Sequence, residues 1–414
     1  MPCGAGLGRS LIARIALALV LLTITICFFS YRDLVSHPSR LLPHAPFYQP
    51  QSQDKQQQQH GSTATTTSAV PDAQHQNQTW GPRNATLGFD SILALSKGGG
   101  QSWRVQGLQA AAALSGLEVT VPPQPTWLPE MVDAFAALSP EGVPKPEPGS
   151  AAAWLAHIDL LKYVLQSELN SALIVEDDVD WDVNIKDQMS HIAEAIRKRT
   201  HAPHDKSNPY TSQWDILWIG HCGDTPKANE TLSLFPDPTV VEHARYVGFS
   251  GTKGYLNDNI PEGQRAVYQS SGAVCSYAYA VHRSGVRKVL DFVSTGLGQA
   301  YDTKLFYGCR SGRLNCVAVT PEVMVHFRPD AKFGQTSEVN RLNEGDAAGA
   351  LTSDDGSIGG QEGGGHPDKV AASQAEKITG TTNNIRQSAR CMSLWKKPCL
   401  GGHKLSRGVG LGGM

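Results

Sequence analysis

Between residues 87 and 330 apolar positions recur in two rhythms, and the rhythm changes from segment to segment. "SILAL", Ser91 to Leu95, is an apolar run of strand length, followed after Gly98 to Gly100 by "WRVQGLQAAAALSGLEVTV". There Val105, Leu108, Ala112 and Leu117 keep helical spacing and Val119 to Val121 resume a strand, predicting a strand-helix-strand opening. Proline crowds "VPPQPTWLPE" and "SPEGVPKPEPGS", marking loops on either side of a short helix near Met131 to Leu138. A stronger helix is predicted next, with Ser150 as N-cap and Trp154, Ile158, Leu161 and Leu165 spaced by four, three and four residues. It ends at Asn170-Ser171, and "ALIV", Ala172 to Val175, follows as a buried strand. A helix, a tight turn and a fully apolar strand make the α/β unit that builds a mainly parallel sheet. Asp215 to Gly220, "DILWIG", predicts a second such strand, and "AVCSYAYAVH" a third that feeds the helix "SGVRKVLDFV". Val286, Val289, Leu290 and Val293 share a face of that helix, and Asn315 to Phe327 is the last core segment.

The flanks lack this patterning. Residues 32–86 are Gln, Ser, Thr, Pro and His with almost no apolar periodicity, which predicts a disordered stem because so little surface can be buried against the ordering entropy. Residues 331–414 collapse into Gly, Ser, Asp and Ala and are read as a low-complexity, mostly disordered tail, apart from a disulfide-closed hairpin at Cys391 to Cys399. At the other end "IALALVLLTITICFF", Ile15 to Phe29, is an uncharged apolar run preceded by Arg9 and Arg14 and closed by Arg32 and Asp33. Extended to residues 11–31 it predicts one signal-anchor transmembrane helix of short span, as suits a thin early-secretory membrane. The rival, a cleaved signal peptide, lacks a small-x-small cleavage site before Phe28 and Phe29. Positive charge on the N-terminal side keeps residues 1–10 cytoplasmic and turns the rest to the lumen, a single-pass type II arrangement in the Golgi or endoplasmic reticulum. The globular domain is then residues 87–330.

Composition narrows the class without choosing it. The 414 residues carry 36 basic and 38 acidic side chains, a near balance that gives no sign of a nucleic-acid partner. Six cysteines fall after the anchor, and Cys309 with Cys316, flanking "RSGRLN", are natural local disulfide partners. Sequons at Asn77, Asn84 and Asn229 permit glycosylation in the lumen.

Candidate chemistry begins at "SALIVEDDVDWDVN", where the strand meets Glu176, Asp177, Asp178, Asp180 and Asp182. As a calcium loop starting at Asp178 it fails, because Val183 stands where the turn needs glycine and Met189 where a bidentate glutamate belongs. A solvated acidic turn is the plain alternative. The sharper reading places the carboxylates at the C-terminal end of a strand, where open α/β sheets hold their ligands. Strand alternation puts Glu176 and Asp178 on one face and Asp177 on the other, so that two carboxylates point at one Mn2+ or Mg2+. Such cations are completed by substrate phosphates, which makes a nucleotide-sugar diphosphate the expected partner. Asp180 and Asp182 are read as supporting or solvated residues.

Four blocks occur in the order found in glycosyltransferase family 25, which the chain resembles: "GSAAAWLAHIDLLKYVLQSELNSALIVEDDVDWD", "WDILWIGHCGD", "CSYAYAVHRSGVRKVL" and "AYDTKLFYGCRSGRLNCVAVTPEVMVHFRP". That family includes lipopolysaccharide-biosynthesis and procollagen galactosyltransferases. The resemblance implies a GT-A-like nucleotide-sugar-binding domain that transfers a hexose, galactose foremost, from a UDP-sugar to a hydroxyl of a glycan or glycoprotein, with inversion. It implies that Glu176, Asp177 and Asp178 form the metal and nucleotide-sugar motif. His157 stands where the family has a helix histidine at the donor site, against the alternative of a core histidine. Asp302 falls in the late acidic motif that supplies the acceptor base, against the alternative of a helix N-cap. His326 stands where a late histidine completes the metal shell, against a plain surface histidine, and Asp224 is placed to reach the sugar while Asp215 supports structure. One departure is visible: relatives follow the first strand with an arginine-rich loop, whereas "SKGGGQSWRVQG" leaves only Lys97 and Arg104. That loss motivates a rival, a non-catalytic lumenal protein that retains the fold. A second rival, a metal-dependent phosphoester hydrolase, would need His221 and Asp224 as further ligands.

Overall fold

The computed structural model describes residues 81–98, 100, 102–294, 298–333, 337–339 and 374–401. The anchor at 11–31, the tail at 1–10 and most of the stem lie outside the described residues. Within them no helix is long and apolar enough to cross a membrane. In chain order the strands are β1 Ser91–Leu95, β2 Val119–Thr120, β3 Ser171–Glu176, β4 Val179–Trp181, β5 Ile216–Gly220 and β6 Ser233–Pro236. They continue as β7 Gln264–Gln269, β8 Ala278–His282, β9 Cys316–Thr320, β10 Met324–His326, β11 Arg328–Pro329 and β12 Gly380–Thr381. The helices are α1 Trp103–Ser115, α2 Pro129–Ala136, α3 Pro148–Gln166, α4 Ile185–Thr200, α5 Ser250–Asn259, α6 Arg283–Val293, α7 Tyr301–Arg310, α8 Gln374–Lys377 and α9 Ala389–Trp395.

Eight strands form one sheet in the order β2-β1-β3-β8-β5-β9-β7-β6. β1 runs parallel to β2 and β3, and β5 parallel to β9, while β8 is antiparallel to both β3 and β5. β7 is antiparallel to β9 and to β6, so all the strands except β8 and β7 share one direction. The sheet is therefore mainly parallel in strand direction but mixed in pairing. The predicted strand in "AVCSYAYAVH" is the exception to the parallel expectation, because it descends the middle of the sheet against its neighbours.

Alternation along the strands divides the core into two layers. Ile92, Ala94, Leu173, Val175, Leu217 and Ile219 face a cluster that includes Leu108 of α1 and Met189, Ile192 and Ile196 of α4. Leu93, Ala172, Ile174, Ile216, Trp218 and Tyr279 face the other side, against Trp154 and Leu161 of α3, Val286 and Val289 of α6 and Leu305 of α7. Burying both faces is what the continuous apolar runs require. The indole N–H of Trp154 donates to the Val293 carbonyl at 2.9 Å, tying α3 to α6. α3 starts two residues before the predicted cap: Glu147 is its N-cap and Pro148 opens it, a proline tolerated there because the first N–H groups have no helical partner.

Two boundaries differ from the sequence reading. Residues 81–86, inside the predicted stem, form turns in which Asn84 Oδ1 accepts from the N–H groups of Thr86 and Gly88, and Leu87 is fully buried. The predicted tail contains a folded segment, 374–401, which buries Ile385, Ala389, Arg390 and Cys391. Its Cys391–Cys399 disulfide closes the turn after helix α9 and not a hairpin. The Cys309–Cys316 pairing is as expected, and Cys222–Cys275 supplies a third bond, each with Cα atoms 5.5 Å apart.

Candidate metal centre

The chain passes from β1 to β2 on one side and then to β3 on the other, so the strand order reverses between β1 and β3. In such sheets ligands bind outside the C-terminal ends of the strands at that reversal. Leu95 of β1 is in register with Glu176 of β3, which brings Ser96 beside Asp177. The acidic motif therefore sits at the sheet's crevice, and a second, small pairing adds to it. β10 runs antiparallel to β4, with His326 opposite Val179, and the Phe327 N–H donates to the Asp178 carbonyl at 2.9 Å. This pairing carries His326 across to the carboxylates.

Among the described residues, Glu176, Asp178 and His326 are the His, Cys, Asp and Glu side chains whose ligand atoms gather as a metal ion requires, all within 4.8 Å of one another. His326 Nε2 lies 3.6 Å from Glu176 Oε2 and 3.8 Å from Asp178 Oδ1, too far for hydrogen bonds but suited to a shared ion. Asp178 Oδ1 and His326 Nε2 are both buried without a hydrogen-bond partner. Leaving two such atoms unpaired costs stability unless a cation or water satisfies them. Two carboxylates and an imidazole fit a divalent cation such as Mn2+ or Mg2+, with the nitrogen favouring the former. The side chains stay 29%, 18% and 34% exposed, so an ion and its other ligands can reach them.

Behind Glu176 stands a polar relay. The Ser276 hydroxyl donates to Glu176 Oε1 at 3.3 Å and contacts His157 Nε2 at 3.2 Å. His157 Nδ1 in turn contacts the Tyr279 hydroxyl at 3.1 Å, and its ring stacks on Tyr301 with centroids 4.3 Å apart. His157 is 1% exposed, a core histidine linked through Ser276 to a ligand-type carboxylate. Burial alone would raise the Glu176 carboxyl, but the neighbouring imidazoles of His157 and His326 hold it well below the usual range. His326 is lowered by burial and raised more strongly by Asp178 and Glu176, for a net upward shift.

Asp177 does not join the group. Its Oδ2 accepts from the Ser96 hydroxyl at 2.6 Å and its Oδ1 from Arg104 at 3.3 Å, while Arg104 also donates to Asp178 Oδ2 at 2.5 Å. Burial pushes the Asp177 carboxyl up to about 6, against the opposing pull of Arg104. Asp177, expected among the metal ligands, lies outside the group formed by Glu176, Asp178 and His326 and ties β1, α1 and the acidic turn together. Asp302, in the first turn of α7 and not its N-cap, accepts from the Cys275 N–H at 2.8 Å and the Thr303 N–H at 2.7 Å. It is thereby joined to the loop whose next residue, Ser276, touches Glu176. Asp224 is 4% exposed, with Oδ1 accepting from the Thr225 N–H at 2.8 Å, and burial pushes it up to about 6. Asp215 holds Lys288 at 2.9 Å and the Asn315 N–H at 2.9 Å, in keeping with structural support. His221 is fully buried with Nε2 3.0 Å from the Val319 carbonyl, and neither it nor Asp224 belongs to the ligand group.

Asp180 and Asp182, expected to be supporting or solvated, are buried and bind the 374–401 segment. Asp180 accepts from the Ser388 hydroxyl and from the Arg390 N–H, and Asp182 Oδ2 from the Gln387 N–H at 2.8 Å. Ser96, Ser276 and Arg390 have no local signature in the sequence, because each reaches the acidic turn from a distant segment. No protein-family model matches the chain, and no curated protein matches it in sequence.

Proposed function

We propose that this domain is a GT-A-like, metal-dependent glycosyltransferase that moves a hexose, galactose in the first instance, from a UDP-sugar to a hydroxyl of a glycan or glycoprotein. The observation that carries the reading is the convergence of Glu176, Asp178 and His326 at the strand-order reversal, with Asp178 Oδ1 and His326 Nε2 buried and unpaired. A divalent cation held there would supply positive charge to the departing diphosphate. Glu176 is steadied by Ser276, which also contacts His157, and Asp178 by Arg104. Asp302 takes the proton of the acceptor hydroxyl as its oxygen bonds to the anomeric carbon and the bond from that carbon to the diphosphate oxygen breaks. Each Asp302 oxygen already accepts one backbone N–H, which fixes the carboxylate and leaves a lone pair for that proton. Asp224 is the residue that, in this reading, contacts the sugar. In this reading the protein works as a single-pass type II protein of the Golgi or endoplasmic reticulum with the domain in the lumen.

The full-length protein, solubilised and supplied with UDP-galactose and Mn2+, is expected to release UDP and to transfer sugar when given a glycan acceptor. Asp178→Ala should abolish Mn2+-dependent turnover while leaving a cooperative melting transition. A fully active Asp178→Ala protein would refute the site. Arg104 is committed to Asp177 and Asp178 rather than turned outward, which keeps the non-catalytic rival in play. Absence of both UDP-sugar binding and hydrolysis would favour that rival, and phosphodiester cleavage without sugar transfer would favour a hydrolase.

A further inference from the structure

Arg390 reaches the acidic turn from 213 residues downstream and is 1% exposed. Its Nη2 donates to the Asp177 carbonyl at 2.8 Å and to the Val179 carbonyl at 3.4 Å, the two peptide oxygens that flank Asp178. Its guanidinium also lies over the Phe327 ring, 5.2 Å from the centroid, and Phe327 directly follows His326. One side chain thus grips the neighbours of two of the three ligand-type residues. The planar guanidinium allows this, because it donates in its plane and stacks through its face, which a lysine ammonium cannot do.

The arginine is itself held from behind. Its own N–H donates to Asp180 Oδ1 at 3.0 Å, the Ser388 hydroxyl donates to the other Asp180 oxygen, and Gln387 donates to Asp182. Gly107 of α1 faces the guanidinium so closely that any Cβ there would collide with it. Trp395, from the same segment, covers Phe327 at 6.0 Å between ring centroids. A buried cation with this many restraints is more than a plug, since its contacts run to the backbone on either side of Asp178 and to the residue after His326.

We infer that Arg390 is a positioning residue that sets the separation of Asp178 and His326, so that segment 374–401 governs the metal affinity of the centre. This rests on the three-ligand reading above. Residues behind metal ligands commonly change affinity by about 10–100-fold when removed, because they fix ligand orientation. Arg390→Lys keeps the charge but loses the planar group that donates through Nη2 to both carbonyls while stacking on Phe327.

The test uses the full-length protein and Mn2+ alone, with free Mn2+ followed by its electron paramagnetic resonance signal and the metal-free melting midpoint measured alongside. The parent is expected to bind Mn2+, Arg390→Lys to bind it about 10–100-fold more weakly, and Arg386→Lys in the same segment to match the parent. Arg386 is a suitable control because it pairs with Glu242 and the Val240 carbonyl, away from the ligands. Arg390→Lys binding Mn2+ as tightly as a binding parent would overturn the positioning role alone, even with a lowered melting midpoint, since that pattern marks a purely structural residue. A parent that binds no Mn2+ would overturn the three-ligand reading and this inference together. If Arg390→Lys does not fold, Phe327→Leu decides: weaker Mn2+ binding by about threefold or more supports the role, and unchanged binding overturns it.

Discussion

At Asp224 the carboxylate is 4% exposed, Oδ2 has no hydrogen-bond partner, and burial raises its pKa from 3.8 to about 6. A group raised in the folded state contributes stability that is complete below its unfolded pKa and disappears as pH climbs through the folded value. The window is therefore about pH 4 to 6, and a shift of this size corresponds to about 3 kcal/mol. Asp224→Asn keeps the acceptor for the Thr225 N–H and removes the ionisation. It should equal the parent near pH 4 and exceed it progressively up to pH 7 in urea midpoint; a parallel pair of curves would contradict the assignment. At the same scale, Glu176 and Asp178 come together and Asp177 points elsewhere, but a turn and not strand alternation does this, because β3 ends at Glu176 and both aspartates lie in the turn before β4. What Asp177 meets, Ser96 and Arg104, depends on β1 and α1 and is not written in the motif.

Helix α6 illustrates what an element demands of one residue. Gly285 lies where an added Cβ would come 2.6 Å from the Asp215 Cα and 2.7 Å from its carbonyl oxygen, both backbone atoms that cannot swing aside. Gly285→Ala should therefore lower stability by about 1–3 kcal/mol, read as an earlier melting transition. Of the predicted face of this helix, Val286, Val289 and Val293 are fully buried and Leu290 is half-buried. Helical spacing is present as well in α4, where Ile185, Met189, Ile192 and Ile196 repeat at four, three and four residues and are all buried, a helix not among the predicted elements. β8 was legible as a strand, but its direction was not. An apolar run buried on both faces looks the same in either orientation, and only its place between β3 and β5 makes it antiparallel.

For the whole molecule, the 374–401 segment is as much part of the domain as the strands. It contributes Ile385, Ala389 and Cys391 at 0% exposure and covers α1, β4 and Phe327. A chain ended at residue 373 should lose on the order of 5 kcal/mol, a large share of a typical domain's stability, measured as a lower urea midpoint. An unchanged midpoint would mean that the segment merely rests on the surface. The sequence by itself determined the α/β class, the strands β1, β3, β5 and β9, the amphipathic helices and the place of the acidic motif at the end of β3, because periodicity is a local property. Tertiary structure alone decided that β8 runs backwards, that His326 crosses to Asp178 through the β4–β10 pairing, and that a glycine-rich region contains a folded segment with Arg390 at the acidic turn. Those outcomes depend on which distant surfaces complete each other's burial and hydrogen bonding, and no window along the chain contains both partners.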